Sequence, residues 1–296
     1  MKKVGFVGVG NMGMLMAENL MKKGFEVIAY DLRKEAVEAI AAKGAEPANS
    51  IKEVGAKSDI VFSMVLNFKQ ISSVAFGEEG LIQNMKPGSC LIITSTIAPS
   101  QVRMVEEYAK PYQVEIVDSP VSGGMAGAQA GTLSMMVACK DSTFKKCEDV
   151  LRAVGSNTEK VSEDVGIGQT VKAAVQLLVS IHTTAAGEAL VMLQKAGVDI
   201  RQACEIIKKS AGNSFMFEQK YPMLLERDFD RRGALDIQIK DLDICLQLGR
   251  ELGAPLYLSA LTRELYLAAE SMGHGKEDLC AVAKVYEMTA QTEIKA

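Results

Sequence analysis

The chain has 296 residues and a formal net charge of -4, with 48% hydrophobic and 24% charged residues. This composition is that of a soluble globular protein and excludes extensive disorder, and the acidic balance gives no global attraction to nucleic acid or to an anionic membrane. The length favours two domains, each large enough for its own hydrophobic core.

The first half of the chain alternates short apolar runs with amphipathic stretches, which is typical of successive βα units. Strands are predicted at residues 3–9, 26–31, 59–65, 89–95, 114–121 and 132–138. Helices are predicted between them at residues 11–23, 33–43, 69–75 and 100–110. Right-handed crossovers between such units make a doubly wound, mostly parallel sheet.

The pattern changes after about residue 163, where helix formers dominate and no alternating strand pattern follows. We therefore predict an α/β domain over residues 1–163 and an all-α domain over residues 164–296. A single helix is predicted for residues 167–196, and at 1.5 Å per residue it would span roughly 45 Å. Because this joining helix is apolar on most faces, we expect it to be buried between the domains or against another subunit.

The six cysteines are far apart and include no C-x-x-C pair typical of zinc and redox sites, and the chain has only two histidines. We expect free thiols that act as small buried hydrophobes in a reducing compartment, and no metal site. The sequence lacks the long apolar region of a signal peptide, and no segment reaches the roughly 18 uninterrupted apolar residues of a membrane span. These features predict a cytoplasmic protein.

A G-x-G-x-x-G motif runs from Gly8 through Gly10 to Gly13, directly after the first strand and at the start of a helix. The first glycine permits the tight turn, the second lets the backbone approach a pyrophosphate, and the third allows close helix packing. The helix N-terminus, with Asn11 and Met12, supplies free N–H groups and a positive dipole. This motif predicts that the first domain binds a dinucleotide.

Asp31 ends the second predicted strand, where a carboxylate can hydrogen-bond the ribose hydroxyls of the adenosine. The carboxylate would repel the 2′-phosphate of NADP, whereas Arg33 could attract it. NAD is therefore the predicted cofactor, and NADP remains the alternative. The other interpretation of Arg33 is a solvated residue in the first turn of a helix.

Residues 6–20, which read FVGVGNMGMLMAENL, closely resemble the N-terminal signature of the β-hydroxyacid dehydrogenases, the family that includes 3-hydroxyisobutyrate dehydrogenase. Four further motifs follow in the family's order, at residues 95–99 (STIAP), 118–124 (DSPVSGG), 166–172 (GIGQTVK) and 240–242 (KDL). Residues 172–188 and 210–218 resemble the L-threonate dehydrogenase branch, and residues 275–286 fit both this branch and the 2-hydroxymethylglutarate dehydrogenases.

By this resemblance, Lys172 is the catalytic lysine. Oxidation of an alcohol removes the hydroxyl proton as hydride leaves, and the reverse reaction protonates the developing alkoxide. A lysine can do both if its site lowers its pKa from the solution value of about 10.4. The family places an asparagine four residues later, where this chain has Gln176 on the same helix face; its amide could contact the substrate or Lys172, and the alternative is a solvent-facing side chain.

The resemblance also implies that Ser122, Gly123 and Gly124 bind the substrate carboxylate, since backbone N–H groups of glycines can hold an anion. Asn213 and Ser214 could hydrogen-bond a polyhydroxy acid, and the alternative is a helix cap, since Asn and Ser between helices commonly cap one.

For the cofactor, the resemblance implies that Thr96 lies near the nicotinamide and that Val65 and Leu66 line the nucleotide. Lys240 would reach the cofactor-substrate cleft, and its alternative is a salt bridge with Asp241 or Asp243.

Together these features predict a metal-independent dehydrogenase that moves hydride between NAD and a small hydroxycarboxylic acid, with L-threonate the leading substrate. One alternative is an NADPH-dependent reductase of a short semialdehyde such as glyoxylate, succinic or tartronate semialdehyde. Others are a 2-hydroxymethylglutarate or 3-hydroxyisobutyrate dehydrogenase and a non-catalytic NAD-binding scaffold. The apolar helices and the resemblance imply a homodimer or homotetramer, with no nucleic acid or membrane partner.

Overall fold

The computed structural model describes residues 2–295, and its first unit is built on one twisted sheet. The strands are β1 (Lys3–Val7), β2 (Glu26–Tyr30), β3 (Glu46–Pro47), β4 (Ile60–Ser63), β5 (Cys90–Ile93), β6 (Glu115–Asp118), β7 (Val121–Ser122), β8 (Ser134–Ala138) and β9 (Asn157–Ser162). Their order is β3-β2-β1-β4-β5-β6-β8-β7, and β9 pairs with β8. The six neighbouring strands β3, β2, β1, β4, β5 and β6 are parallel. Strand β8 is antiparallel to β6 and β7, and β9 is parallel to β8.

Helices cover the sheet of the first unit. They are α1 (Asn11–Lys22), α2 (Lys34–Ala41), α3 (Ile51–Lys57), α4 (Phe68–Ala75), α5 (Leu81–Asn84), α6 (Pro99–Ala109), α7 (Gly124–Ala130) and α8 (Asp141–Val154). Side chains of one strand alternate between two cores. On β4, for example, Phe62 stacks on Phe6 of β1 in one core, whereas Val61 lies in the other. Burial on both faces explains why these strands read as nearly continuous apolar runs.

The second unit is entirely helical. It contains most of α9 (Ile167–Lys195), followed by α10 (Ile200–Ile207), α11 (Phe215–Leu225), α12 (Leu235–Leu252), α13 (Tyr257–Ala269) and α14 (Ala283–Ala290). Its interior consists of two apolar clusters, one centred on Leu190 and Leu224 and the other on Leu242 and Tyr266. The contacts of the backbone divide the chain after Lys172, inside α9, whereas the change of sequence pattern lies at residue 163.

The predicted fold class is confirmed: an α/β unit with a doubly wound sheet precedes an all-helical unit, and a long helix joins them. One predicted strand, over residues 114–121, is wrong as a single element. It is broken into β6 and β7 around Pro120, which has no N–H to donate to a neighbouring strand. In the first unit, strands β3 and β9 and helices α3, α5, α7 and α8 were not among the predicted elements.

Helix α9 is less buried than its composition predicts. Its length and a mean hydropathy of 1.3 would suffice for a membrane span, yet only 39% of that apolar stretch is buried within the chain. Leu178 and Met192 are exposed, whereas the buried side chains include Lys172, Ser180 and Thr183. Buried polar groups of this kind favour contact with protein over contact with lipid.

All six cysteines are buried as free thiols, as expected of small hydrophobic side chains. Between residues 2 and 295, no group of three or more His, Cys, Asp or Glu side chains is arranged to hold a metal ion.

A buried ion pair holds the second unit together. Lys220 of α11 lies 2.9 Å from Asp278, and their side chains are 8% and 0% exposed. Asp278 also accepts hydrogen bonds from the backbone N–H groups of Gly233 at 3.0 Å and Cys280 at 3.1 Å. One carboxylate therefore connects α11, the segment before α12, and the 3-10 helix Leu279–Val282.

We expect Lys220→Met to lower the free energy of unfolding by about 3–5 kcal/mol, because it leaves a buried carboxylate without its cation. The matched control is Lys276→Met, since Lys276 is 81% exposed and lies 2.6 Å from Asp236. Its effect should stay below about 1 kcal/mol, as for other surface pairs. Denaturant unfolding followed by helical circular dichroism measures both. Equal losses would mean that the Lys220 pair contributes no more than a surface pair.

Candidate active site

The sequence-predicted cofactor residues of the first unit gather at one edge of its sheet. Because β1, β4, β5 and β6 are parallel, their carboxyl ends lie side by side there. From β1 the strand order runs to β2 in one direction and to β4 in the other, which makes the β1–β4 boundary the switch point of the sheet. Ligands of open α/β sheets bind outside the strand ends at such a point.

Two of the motif glycines are required by the packing of the turn itself. Gly8 has a φ of +92°, and a Cβ there would lie 2.4 Å from the carbonyl oxygen of Met64. A Cβ on Gly13 would lie 1.9 Å from the carbonyl oxygen of Gly8. Any side chain at either position would therefore displace backbone.

The middle glycine is different, because space is open beside it. A Cβ on Gly10 would have only Nη2 of Arg33 within 4 Å, at 3.5 Å. Gly10 is also the N-cap of α1 and supplies no side-chain acceptor to the first turn, at Asn11 and Met12. Open space beside helix N–H groups without a side-chain cap fits the pyrophosphate of a dinucleotide.

Asp31 and Arg33 form a bidentate pair next to this turn. Arg33 donates from Nε to Oδ1 at 3.1 Å, from Nη2 to Oδ2 at 3.2 Å, and from its backbone N–H to Oδ1 at 2.9 Å. Burial raises the pKa of the Asp31 carboxyl, but the hydrogen bonds and charge of Arg33 outweigh it and hold the pKa below its usual range. The carboxylate is therefore ionised where the adenosine ribose would lie, and Arg33 is exposed but paired.

The predicted nucleotide-lining residues follow β4 and β5. The backbone N–H of Val65 donates to Oγ of Ser95 at 2.9 Å, which links the two strand ends. Leu66 is 51% exposed, and its N–H donates to Gln70 at 2.8 Å. Thr96, next to Ser95, is half-buried.

The predicted carboxylate site has an open backbone. Ser122 ends β7, and Gly123 and Gly124 follow it with φ values of +130° and +60°. Both glycines are exposed, and a Cβ on Gly124 would meet no atom within 4 Å. Among the described residues, the space that a side chain at Gly124 would occupy is therefore open.

The start of α9, which carries Lys172, is bonded to the end of β6. Oδ2 of Asp118 accepts the backbone N–H groups of Gly166 at 2.8 Å and Gln169 at 3.2 Å. Lys172 follows within one turn and is 6% exposed. Asp118 and Gln169 lie in motifs quoted from the sequence, but neither was assigned a role. In the sequence, Asp118 is the carboxylate that ends the strand E-I-V-D, and Gln169 is the amide that directly follows the two glycines at the start of α9.

Gln176 and Lys240 belong to the second unit, where they meet the same carboxylate. Nε2 of Gln176 donates to Asp241 and, at 3.3 Å, to Gln238. Lys240 lies 2.8 Å from Asp241. The salt bridge with Asp241, one alternative for Lys240, is thus formed, while Asp243 pairs with Arg263. Gln176 is half-buried, so the solvent-facing alternative is wrong.

Asn213 lies before α11, but its neighbour is the helix cap. Oγ of Ser214 accepts the N–H of Phe217 at 3.0 Å, whereas the Asn213 side chain donates to Glu218. The capping role predicted as an alternative for Asn213 therefore falls to Ser214.

The two kinds of glycine can be separated by substitution. We expect Gly10→Ala to retain the fold but to lose dinucleotide affinity by at least ~10-fold, because the methyl group occupies the open space beside the helix N-terminus. Gly13→Ala should instead lower the melting temperature. Thermal unfolding without cofactor and NADH fluorescence titration measure the two effects. Undiminished NADH binding by the stable Gly10→Ala variant would contradict the assignment of this turn.

Comparison with known proteins agrees with this geometry. Residues 3–166 match the family model described as the NAD binding domain of 6-phosphogluconate dehydrogenase, and residues 166–286 match that described as NAD-binding of NADP-dependent 3-hydroxyisobutyrate dehydrogenase. The chain is 35% identical to L-threonate dehydrogenase of Cupriavidus necator over 96% of each chain. It is 37% identical to 2-(hydroxymethyl)glutarate dehydrogenase of Eubacterium barkeri over 96% of this chain and 95% of the relative.

A solved 3-hydroxyisobutyrate dehydrogenase from Salmonella typhimurium superposes with a TM-score of 0.88 at 33% identity, covering 96% of this chain and 100% of that one. The fold, the NAD-binding sheet edge and these full-length relatives agree. The chain therefore belongs to the β-hydroxyacid dehydrogenase family, related to 3-hydroxyisobutyrate dehydrogenase, whose members are NAD(P)-dependent oxidoreductases.

Proposed function

We propose that this hydroxyacid dehydrogenase oxidises a short polyhydroxylated carboxylic acid, with L-threonate as the first candidate, and that Lys172 transfers the proton. The observation that carries this proposal is the position of Lys172. It is a buried lysine within one turn of the point where α9 is bonded to the cofactor edge of the sheet. A cytoplasmic location, expected from the sequence, remains part of the proposal.

The chemistry divides between the cofactor and the chain. Bound NAD supplies the hydride acceptor. Lys172, as a neutral amine, takes the hydroxyl proton when the alcohol is oxidised and returns a proton to the oxygen in the reverse direction. Ser122 and the exposed backbone of Gly123 and Gly124 hold the carboxylate, which fixes the carbon to be oxidised.

The substrate proposal draws on two relatives with different named substrates. L-threonate has one carboxylate and several hydroxyls, and the amides of Gln176 and Asn213 are groups that hydrogen-bond hydroxyls. The 37% identity to 2-(hydroxymethyl)glutarate dehydrogenase supports that dicarboxylate as a second candidate. A second carboxylate favours a further cation, and Lys240 is already paired with Asp241. This pairing favours L-threonate.

We also propose that the chain acts as a homo-oligomer, either a dimer or a tetramer. The support is apolar surface that the single chain leaves uncovered. On α9, Leu178 is 50% and Met192 65% exposed. Around the turn between α12 and α13, Leu252, Tyr257 and Leu261 are each exposed by more than 60%. Exposed apolar groups in such number favour association.

Lys172→Ala should bind NADH normally and lose at least ~100-fold in kcat, which is the scale of losing a general acid/base. Lys172→Arg should also fail, because a guanidinium stays protonated. Lys195→Ala, an exposed position on the same helix, is the matched control and should retain wild-type turnover.

The assay follows absorbance of the reduced cofactor with L-threonate, D-erythronate, 2-(hydroxymethyl)glutarate, 3-hydroxyisobutyrate, D-glycerate and 4-hydroxybutyrate. L-threonate should give the highest kcat/KM. Full turnover by Lys172→Ala would reject the lysine assignment, and a preference for 2-(hydroxymethyl)glutarate would select the second candidate.

Asp31 should set the preference for NAD over NADP. We expect Asp31→Asn to lower the ratio of kcat/KM for NAD to that for NADP by at least ~10-fold, because the repulsion of a 2′-phosphate is removed and Arg33 loses its partner. Arg33→Ala is the control and should leave the ratio unchanged or raise it. A wild-type preference for NADP, or an Asp31→Asn variant with an unaltered ratio, would contradict this role and favour the NADPH-dependent reductase.

A further inference from the structure

We propose that Asp118 and Gln169 are a positioning pair, which fixes the first turn of α9 to the ends of β5 and β6 and thereby places Lys172 for proton transfer. The inference rests on the proposed function of Lys172 as the proton-transferring group. It concerns two side chains that contact neither substrate nor cofactor in the proposed chemistry.

The Asp118 contact defines where α9 begins. Its Oδ2 accepts the N–H groups of Gly166 and Gln169, two of the donors that a helix start leaves without an intrahelical partner. Its side chain is 0% exposed. Burial raises the pKa of the Asp118 carboxyl to about 6, and the N–H donors of α9 offset only part of that rise. Such full burial favours a positioning role over direct contact with a substrate.

Gln169 provides the second attachment, to the segment that follows β5. Its Oε1 accepts the backbone N–H of Ile97 at 3.1 Å, and its Nε2 donates to the carbonyl oxygen of Ser95 at 3.0 Å. The side chain is 1% exposed. The oxygen and the nitrogen of the Gln169 amide are therefore both hydrogen-bonded to backbone groups. These groups flank Thr96, the residue predicted to lie near the nicotinamide.

Two glycines allow the helix to approach this closely. A Cβ on Gly168 would lie 2.5 Å from the carbonyl oxygen of Met136 and 2.9 Å from Oδ2 of Asp118. Gly166 has a φ of +102°, and a Cβ there would lie 2.5 Å from Nη1 of Arg103. The sequence motif G-I-G-Q therefore serves the packing of the helix start onto β6 and α6.

The attachment has a direct consequence for Lys172. Residues three apart on a helix lie on neighbouring positions of one face, so Gln169 and Lys172 share a side of α9. The first turn is held from two directions, by β6 through Asp118 and by the segment after β5 through Gln169. A displacement of about 1 Å at a reacting group can reduce turnover about 100-fold, so this double attachment controls the step that Lys172 performs.

The test compares Gln169→Leu with Gln101→Leu. Both remove an amide that bonds the same 95–99 segment, since Oε1 of Gln101 accepts the N–H of Ala98 at 2.9 Å. Of these two glutamines, Gln169 connects the segment to α9, whereas Gln101 lies in α6. Asp118→Ala, which removes the acceptor, is the second variant, and Lys172→Ala is measured in parallel. The readouts are kcat, KM for each substrate, the deuterium isotope effect on kcat with L-threonate deuterated at carbons 2 and 3, and backbone hydrogen exchange at residues 166–172 without cofactor.

We expect Gln169→Leu and Asp118→Ala to lower kcat by at least ~10-fold, with KM for NAD little changed. The isotope effect should rise because hydride transfer becomes slower than product release, and exchange at residues 166–172 should accelerate. Gln101→Leu should lower the melting temperature and leave kcat, the isotope effect and this exchange unaltered. A smaller folded fraction alone would not change an isotope effect.

A wild-type kcat and isotope effect in Gln169→Leu would overturn the proposal, and so would an equal loss of kcat in Gln101→Leu. Should Asp118→Ala fail to fold, Gln169→Leu decides alone. If Lys172→Ala keeps full turnover, the proposed function fails, and unchanged exchange in Gln169→Leu would separately reject the attachment. Should the substrate panel select 2-(hydroxymethyl)glutarate, the isotope effect is measured with that acid deuterated at its hydroxymethyl carbon.

Discussion

The hydrogen bonds from the first turn of α9 to the carboxylate of Asp118 are the contact on which the proposed site depends. They join the last residue of β6 to the helix that carries Lys172. Because β6 is parallel to β5 and β5 to β4, the carboxyl ends of β5 and β4 lie at the same sheet edge. The chain after β5 leads to Thr96, and the chain after β4 leads to Val65. A helix fixed to that edge carries Lys172 within one turn of its attachment to β6, in the same sheet whose β1 leads into the dinucleotide-binding turn.

Burial of the Asp118 carboxyl lowers the stability of the fold at neutral pH, and the hydrogen bonds from α9 offset only part of that cost. The folded protein holds a proton on Asp118 up to about pH 6, whereas the usual value is 3.8, so the folded state binds the proton more tightly than the unfolded chain does. The protonated Asp118 carboxyl therefore contributes stability that is fully present below the pKa that it has in the unfolded chain, and this contribution is lost as pH rises through about 6. At 1.36 kcal/mol per pKa unit, ionisation costs about 3 kcal/mol. A neutral helix cap such as serine would avoid that cost, which favours a role in placing α9 over a role in stability alone.

The sequence predicted those elements whose pattern is local. Short apolar runs located β1, β2, β4, β5 and β6 of the parallel sheet, and a long apolar run located α9 to within one residue at each end. Strand β9 has the polar sequence N-T-E-K-V-S, so its pairing with β8 depends on partners that no local pattern reveals. The same limit applies to the site. Residue types and a family resemblance selected Lys172, Gln176 and Lys240, but the shared partner of the last two, Asp241, depends on how α9 and α12 pack.

Glycine shows why a motif alone does not separate binding from packing. Gly10 and Gly124 face open space, whereas Gly13 and Gly168 each approach a backbone oxygen so closely that a methyl group would not fit. All four lie in motifs that resemble those of one family, and the letter G is the same in each. The two kinds of glycine are distinguished by the atoms that an added Cβ would meet. Open space there leaves room for a ligand, whereas a nearby backbone atom shows that the glycine allows two elements to pack closely. By this criterion the G-x-G at residues 166–168 belongs to the scaffold of α9, as do Gly8 and Gly13 to that of the first turn, and the ligand-facing glycines are Gly10 and Gly124.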